Sequence, residues 1–346
     1  MTTPALRVER VDSLTEFGQT AWRQIEPASN FYQSYVWTQV SEATARGSVA
    51  YHIARTADGD LLGCLPVYQQ PSGGNPGYDP GRFGEGVAGW FPHRLYGARS
   101  GYQQQLLMRQ GLPDPARVAV LSALLAAADG EASVRSASMP FLVARSDADL
   151  VAAAAPAGWE IVPDGVTAAL DLPGTSLDEY LESLPAKRRS SVRREIRAYS
   201  EYGFTTSEAR LSECTGLVAQ MATRTQRRHG STVTEERMRE ALSHQVRYAD
   251  DRSWVLQARH GQDCLGVVLH YRYGDQLYMR MVGVDTDVAL IRSAAVYFTL
   301  TFYHPVRRAR DLGIRRLWFG PGAVAAKTRR GARTYPLASA VRRPVL

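Results

Sequence analysis

The same hairpin pattern occurs twice in this chain. One copy, YHIARTADGDLLGCLPVYQ, begins at Tyr51, and the other, WVLQARHGQDCLGVVLHYR, begins at Trp254. Both have Ala-Arg before a Gly-containing turn and Leu-Gly in the apolar run that follows. Two apolar runs joined by a short Gly-containing segment predict a β-hairpin. A chance match between two common hairpins is the alternative, but the shared pairs at nearly equal offsets favour a duplication.

The second copy predicts a complete series of elements. A helical region precedes the hairpin, a third strand follows it, and a helix and a short strand come next. The predicted ranges are 177–226 (helical), 253–259 and 264–273 (hairpin), 276–284 (strand), 291–312 (helix) and 315–319 (strand). This order predicts an α/β (α+β) unit, with a mixed sheet flanked by helices.

The first copy is less regular. We expect a helix over 35–45, the hairpin over 50–69, a long Gly/Pro-rich loop over 70–98 and a helix over 113–129. Residues 159–172 read as a strand-like connection into the second copy. The sequence therefore predicts two tandem domains, residues 1–160 and 161–346.

Composition indicates a globular chain with acidic partners. Of its 346 residues, 45% are hydrophobic and 22% are charged. No apolar run approaches the roughly 20 residues that span a bilayer, and the N-terminus lacks a signal-peptide core. Three cysteines far apart predict neither a disulfide framework nor a zinc cluster, so we expect a cytoplasmic protein. The net charge of +7 favours phosphates, nucleotides or nucleic acid as partners.

A basic helix is predicted in PAKRRSSVRREIRAYSEYG, with Pro185 at its start and Gly203 at its end. At about 100° per residue, Val192, Ile196 and Tyr199 form one apolar stripe. The cations lie opposite this stripe or on its flanks: Lys187, Arg188, Arg189, Arg193, Arg194 and Arg197. The pattern fits either an ordinary solvated face or a surface for a polyanion.

Several motif-based functions are excluded. GPGAVA at 320–325 matches a dinucleotide fingerprint only formally, because no βαβ unit can follow it. The histidines have no metal-ligand spacing, so we expect no metal. Ser100 lacks the spacing of a nucleophile elbow, and there is no Walker loop. Hydrolase, metalloenzyme and nucleotidase functions therefore have no residues to support them.

The tandem units, the SLPAKRRSSVRREIR helix and the C-terminal RRLWFGPGAVAAKTRRGARTYPL resemble the tandem GNAT-type acyltransferases. The nearest groups are the Fem-type aminoacyl-tRNA-dependent transferases and related actinobacterial natural-product acyltransferases. One departure from ordinary GNAT proteins is clear. Their glycine-containing acyl-CoA loop belongs after the strand that ends at Val284, where this chain has VDTDVALIRSAAVY. Without glycine, the backbone N–H nest for a pyrophosphate is missing, and Fem-type enzymes also lack this loop.

The resemblance implies an acyltransferase that needs no cofactor and takes aminoacyl-tRNA, or alternatively acyl-CoA, as co-substrate. Lys327 matches the lysine that Fem-type enzymes place after the last core strand, so its implied role is to stabilise the oxyanion or to orient the acyl carbonyl. Arg330, with Arg329 and Arg333, would hold phosphates near it or simply solvate the tail.

Other site residues follow from the strand 276–284. Alternation places Tyr278, Arg280 and Val282 on one face, so we expect Tyr278 and Arg280 to line the cleft. Asp285 and Asp287 end the strand and are candidate general bases, with turn or cap carboxylates as the alternative. In the first unit, the predicted acceptor pocket consists of Trp37, Arg99, Ser100 and Tyr102.

Three functions remain open at this stage. The first is aminoacyl transfer from aminoacyl-tRNA to an amine or hydroxyl of a small molecule, in natural-product biosynthesis. The second is acyl transfer from acyl-CoA or a carrier-protein thioester. The third is binding of nucleic acid by a protein without catalytic activity.

Overall fold

The chain divides into two compact units. The computed structural model describes residues 6–70, 76–84, 87–130, 134–143, 145–172, 176–285 and 288–344. Unit 1 consists of Met1–Gly165 and Pro336–Leu346, and unit 2 of Val166–Tyr335. The last residues of the chain, which the sequence placed in the second domain, thus belong to unit 1. The reason is that the C-terminal strand pairs with a strand of that unit.

Unit 1 is built mainly from strands around one long helix. Its strands are β1 (Leu6–Val11), β2 (Val49–Thr56), β3 (Leu61–Gln70), β4 (His93–Tyr96), β5 (Leu107–Met108), β6 (Ser136–Leu142), the first part of β7 (Trp159–Asp171) and most of β13 (Arg333–Arg342). Its α-helices are α1 (Leu14–Phe17), α2 (Gln19–Trp22), α3 (Tyr35–Ala43), α4 (Asp114–Asp129) and α5 (Arg145–Ala154). Short 3-10 turns occupy Phe31–Gln33, Pro76–Tyr78, Pro80–Phe83 and Val87–Trp90.

The sheet of unit 1 has the order β1-β2-β3-β4-β6-β13, with β5 beside β3. β4 and β6 are parallel, and the other neighbours are antiparallel. The apolar side of α4 packs on this sheet through Val120, Leu121 and Leu124. This core contains buried residues of β2, β3, β4 and β6, as expected for a sheet covered by a helix.

Unit 2 has longer helices. Its α-helices are α6 (Leu177–Ser183), α7 (Ala186–Glu201), α8 (Leu211–Arg228), α9 (Glu235–Ala249), α10 (Ala289–Ser293), α11 (Val296–Phe298), α12 (His304–Leu312) and α13 (Val324–Thr328). A 3-10 turn covers Asp250–Arg252, and a π-helical turn covers Thr299–Tyr303. Besides the end of β7, its strands are β8 (Phe204–Ala209), β9 (Ser253–His260), β10 (Asp263–Tyr273), β11 (Gln276–Val284) and β12 (Arg316–Gly320).

The sheet of unit 2 repeats the plan of unit 1. Its order is β8-β9-β10-β11-β12-β7, again with one parallel pair, β11 and β12, among antiparallel neighbours. The two sequence-predicted hairpins, β2-β3 and β9-β10, therefore occupy the same position in each sheet. The predicted α/β (α+β) fold, with a mixed sheet flanked by helices, is confirmed, although the strands of both units belong to one 13-stranded sheet.

Helices cover both faces of the second sheet. On one face, the core contains Val192 and Tyr199 of α7, with Ile196 packed against it, so the predicted apolar stripe is confirmed. On the other face, α8 approaches β11 so closely that a Cβ on Gly283 would lie 2.6 Å from the Cβ of Met221. None of the helices within the described residues is both long and apolar enough to cross a bilayer.

Some element predictions were wrong. The helical region 177–226 contains strand β8, and the long loop 70–98 contains β4. Both strands are short and gain their stability from neighbours distant in sequence, which local patterns do not reveal. The helix predicted over 291–312 is interrupted at Ala295, whose φ is 51°, and by the π-helical turn.

Candidate active site

The parallel strands of unit 2 part before either of them ends. β11 and β12 pair only at Gln276–Arg316, Leu277–Leu317 and Tyr278–Trp318. Beyond this point β11 continues to Val284, and β12 continues to Gly320. Strands that separate leave backbone N–H and C=O groups without a sheet partner, and these groups must find other acceptors and donors. The gap beyond Tyr278 and Trp318 is therefore the place in unit 2 where a ligand can meet the main chain.

Lys327 is on α13, and its ammonium group lies at the end of β12. Its Nζ donates to the main-chain oxygens of Phe319, at 2.7 Å, and Gly320, at 3.0 Å. The side chain is 1% exposed, and burial lowers the pKa of its ammonium to about 8. Among the described residues, no carboxylate lies within ion-pair distance of it. An ammonium has three donors, so two carbonyl acceptors leave one for a ligand.

A sequence signal for this lysine is its rarity. Lys187 and Lys327 are the chain's only lysines, and the remaining basic residues are arginines. The ammonium of lysine is compact and its pKa responds to burial, whereas a guanidinium keeps its charge, so buried Lys327 differs in chemistry from the arginines and from exposed Lys187.

Tyr278 and Trp318 close the paired end of the gap. Their rings stack at 6.3 Å, and both donate to Oε1 of Gln276, at 3.1 Å from Tyr278 and 2.7 Å from Trp318. Tyr278 is fully buried, so its hydroxyl is held by Gln276. These contacts place Tyr278 beside the gap, and its catalytic role stays a prediction.

Arg280 lies at a β-bulge. The register passes from His270–Met279 to Leu269–Met281, so Arg280 has no residue opposite it. An extra residue at a bulge reverses the alternation of the side chains that follow it. Val282 accordingly packs on the core that contains Leu277 and Met279. The predicted alternation was wrong for Val282, and the role of Arg280 stays a prediction.

Asp285 follows β11 directly. Its Oδ1 lies 2.6 Å from Nη2 of Arg228, which ends α8. Both side chains are partly exposed, so this carboxylate can be reached from solvent while it is held in place. Asp287, the second candidate base, lies outside the described residues.

The cations of α7 divide into two groups. Lys187, Arg188, Arg193, Arg194 and Arg197 are exposed. Arg189 is half-buried and donates to the main-chain oxygen of Leu184 at 3.2 Å. Glu195 contacts Arg330, so it does not neutralise the exposed group.

Arg330 does not belong to that exposed group. It is 7% exposed, and its guanidinium contacts Glu195, Tyr303 and the main-chain oxygen of Ala326. Its predicted contact with phosphates would require it to leave these partners. Sequence reasoning could not find this environment, because the partners lie on three separate segments.

The corresponding gap in unit 1 is filled by the chain itself. β4 and β5 together occupy the position that β11 has in unit 2, and the segment between them leaves the sheet. Gln104 in this segment bridges β4 and β6. Its Oε1 accepts from Ala98 N at 2.6 Å, and its Nε2 donates to Pro140 O. Its main chain also pairs with β6, through Phe141 and Val143.

Three of the predicted acceptor-pocket residues, Arg99, Ser100 and Tyr102, belong to the same segment, and Trp37 contacts it. Trp37 is buried, and its Nε1 donates to the main-chain oxygen of Ser100 at 2.8 Å. Tyr102 packs edge-on against Tyr32, which also contacts Trp37. Arg99 donates to Thr44 Oγ1 at 2.8 Å, and burial lowers the pKa of its guanidinium. The structure brings these residues together as a packed cluster, and their contact with an acceptor stays a prediction.

A cavity of about 330 Å³ lies elsewhere in unit 1. Its polar lining includes Gln105, Arg109, Arg117 and Asp147, and the predicted pocket residues do not line it. Arg117 and Asp147 pair at 2.9 Å within it. Within the described ranges, no group of three or more His, Cys, Asp or Glu side chains is arranged to hold a metal ion.

Comparisons with known proteins agree with this geometry. Residues 186–328 match the family model of the acetyltransferase (GNAT) domain. Among curated proteins, none matches this sequence. The solved structure of FemX is similar, with a TM-score of 0.62, 12% identity, and 96% of each chain covered.

Two further solved structures have this fold. A tandem GNAT protein from the clavulanic acid pathway has a TM-score of 0.54 at 12% identity, with 97% of this chain and 98% of that chain covered. The C-terminal domain of a putative lysylphosphatidylglycerol synthetase from Agrobacterium fabrum has a TM-score of 0.56 at 12% identity, covering 95% of this chain and 93% of that chain. With the strand order repeated in both units, residues 186–328 match the GNAT domain, and the chain as a whole has the fold of these solved tandem GNAT and Fem structures.

Proposed function

We propose that the protein transfers an aminoacyl group from aminoacyl-tRNA to an amine or hydroxyl of a small molecule. The observation that carries this proposal is the exposed face of α7. Lys187, Arg188, Arg193, Arg194 and Arg197 are all exposed on one short helix, and in the described part of the chain none has a carboxylate within 4.0 Å. Phosphates of a nucleic acid are the natural counter-charges of such a face. The solved tandem GNAT protein belongs to clavulanic acid biosynthesis, which supports a natural-product pathway as the setting.

The proposed reaction needs few groups. The acceptor nitrogen or oxygen forms a bond to the ester carbon, the ester C–O bond breaks, and the acceptor's proton ends on the leaving ribose oxygen. Asp285 would take the proton from the acceptor, and the free donor of Lys327 would stabilise the oxyanion. Holding both substrates in one gap lowers the barrier without a covalent enzyme intermediate.

The alternative donor is acyl-CoA or a carrier-protein thioester. One observation supports this donor. Ala295 has a left-handed φ of 51°, so the chain makes directly before Val296 the kind of turn for which glycine is the usual residue. Against it stands the absence of any glycine between Val284 and Val296. The exposed cations of α7 favour the tRNA donor over this alternative.

Product analysis separates the two donors. The purified protein would be incubated with a panel of small amines and alcohols, and with either total tRNA charged with labelled amino acids or acetyl-CoA. We expect mass spectrometry to find aminoacylated products only from charged tRNA, and none with uncharged tRNA plus free amino acids. Transfer from acetyl-CoA, with none from charged tRNA, would replace the proposal by the alternative.

A further inference from the structure

A partly buried ionic cluster lies between α7 and the segment that carries Lys327, with the side chain of Arg330 9% exposed and that of Glu195 25% exposed. Nη2 of Arg330 lies 2.7 Å from both carboxylate oxygens of Glu195. Nε of Arg330 donates to the hydroxyl of Tyr303 at 2.7 Å, and that hydroxyl donates to Glu195. The guanidinium also lies over the ring of Phe298, 3.1 Å from its centre. Burial opposes the charge of Arg330, but Tyr303 and Glu195 outweigh it and raise its pKa.

The same guanidinium contacts the helix of Lys327. Nη1 of Arg330 donates to the main-chain oxygen of Ala326 at 3.0 Å, and Ala326 directly precedes Lys327. The main-chain N–H of Arg330 donates to the oxygen of Lys327 at 2.9 Å. From α6, the hydroxyl of Tyr180 donates to the main-chain oxygen of Arg330 at 3.0 Å. The side chain and main chain of Arg330 thus both hold the last turn of α13.

α13 needs such support. It has five residues, begins after Ala323 in the left-handed region with φ of 51°, and has no side-chain cap. A helix this short is not stable by itself, so its position depends on tertiary contacts. Among the hydrogen bonds and ion pairs of the described residues, the pair of Arg330 and Glu195 reaches α7.

Stability alone does not account for this arrangement. Buried ion pairs often stabilise a protein no more than apolar residues of the same volume would, and their best-supported use is to specify one geometry. Here the geometry specified is that of a short helix whose lysine donates to the last two main-chain oxygens of β12.

We propose that Glu195 and Arg330 are a positioning pair that ties α13 to α7 and holds the Lys327 ammonium at the end of β12. The catalytic consequence rests on the proposed function, in which Lys327 meets the reacting carbonyl. Arg330 then positions α13, and the exposed cations of α7 bind the phosphates of the tRNA.

The test uses Lys327 as the reporter. With selectively labelled lysine, NMR follows the titration of Lys327, and a Lys187→Arg variant assigns its signal because the chain has only these two lysines. In Glu195→Gln, α13 loses its anchor and water reaches Lys327. We expect the pKa of Lys327 to rise from about 8 toward the ordinary value of about 10.4. We also expect kcat to fall about tenfold or more with little change in KM.

Glu201→Gln is the matched control, because it removes the same charge from an exposed position on the same helix. Tyr303→Phe removes one hydroxyl from the cluster. We expect it to raise the pKa of Lys327 as well, but by a smaller amount. This milder variant decides the question if Glu195→Gln does not fold. An unchanged Lys327 titration in the folded variants, or an equal change in Glu201→Gln, would overturn the proposal. The NMR result needs no acyl donor, so it stands apart from failure of the tRNA-dependent reaction.

Discussion

The Nζ of Lys327, on α13, lies 2.7 Å from the main-chain oxygen of Phe319, on β12. This contact gives the buried ammonium one of its two acceptors. It holds the positive charge at the residues of β12 that follow the last pair with β11. An oxyanion donor must be positioned in advance, since its contribution is lost if it has to reorganise during the reaction.

Replacing Lys327 should abolish most turnover. Loss of a positioned oxyanion donor costs about 10²–10³ in kcat, or roughly 3–4 kcal/mol. We expect a loss of this size in Lys327→Ala with donor affinity mostly kept. Lys327→Arg should recover little, because a planar guanidinium does not occupy the position of an ammonium. Steady-state kinetics of both variants checks this, with Thr328→Ala as control on the exposed side of α13. Near wild-type turnover in Lys327→Ala would make the lysine purely structural, and Tyr278 and Arg280 would be tested next.

Lys327 should also change the pH dependence of stability. Its pKa is about 8 in the folded protein, below the ordinary value of about 10.4 expected in the unfolded chain. Below pH 8 both states hold the proton. Between about pH 8 and 10.4 the unfolded state holds a proton that the folded state has released, so the contribution of Lys327 to the free energy of unfolding rises with pH.

Urea denaturation of wild type and Lys327→Met at about pH 7.5 and about pH 9.5 measures this contribution. We expect the stability difference, wild type minus variant, to be larger at the higher pH. Burial raises the pKa of the Cys214 thiol to about 11. Because this thiol is present in both proteins, its contribution cancels in the stability difference. A difference that does not vary with pH would contradict the lowered pKa.

Gln104 should be essential to the stability of unit 1. Gln104→Ala leaves the main-chain N–H of Ala98 and the oxygen of Pro140 without their partners in a buried place. Each unsatisfied group costs about 1–3 kcal/mol, so we expect the two groups together to lower the free energy of unfolding by about 2–6 kcal/mol. Denaturant unfolding checks this. Gln105→Ala, at the neighbouring position, is the control. The side chain of Gln105 accepts a long hydrogen bond of 3.5 Å from the hydroxyl of Ser29, and this contact is exposed. Equal effects of the two variants would argue against the bridging role.

The exposed arginines of α7 should control the salt dependence of tRNA binding. Each lost phosphate contact lowers the slope of log K against log salt by about 0.7–0.9. We expect weaker binding and a smaller slope for Arg193→Ala combined with Arg194→Ala, with little loss of stability. Arg224→Ala with Arg237→Ala removes two exposed arginines from α8 and α9 as a charge-matched control. If both double variants bind like wild type, the face of α7 is only solvated.

The sequence by itself determined the repeated hairpins and the basic helix, because both depend on local periodicity. Strand alternation and the Gly-containing turn specify β9 and β10, and a 3.6-residue period with Pro185 and Gly203 at the ends specifies α7. Only the tertiary structure decided the rest. The bridge made by Gln104 and the burial of Arg330 against Glu195 each join segments distant in the chain, and the bulge at Arg280 depends on how β11 pairs with β10. Local patterns carry no record of such pairings, because their free energy comes from contacts that exist only after the sheets have formed.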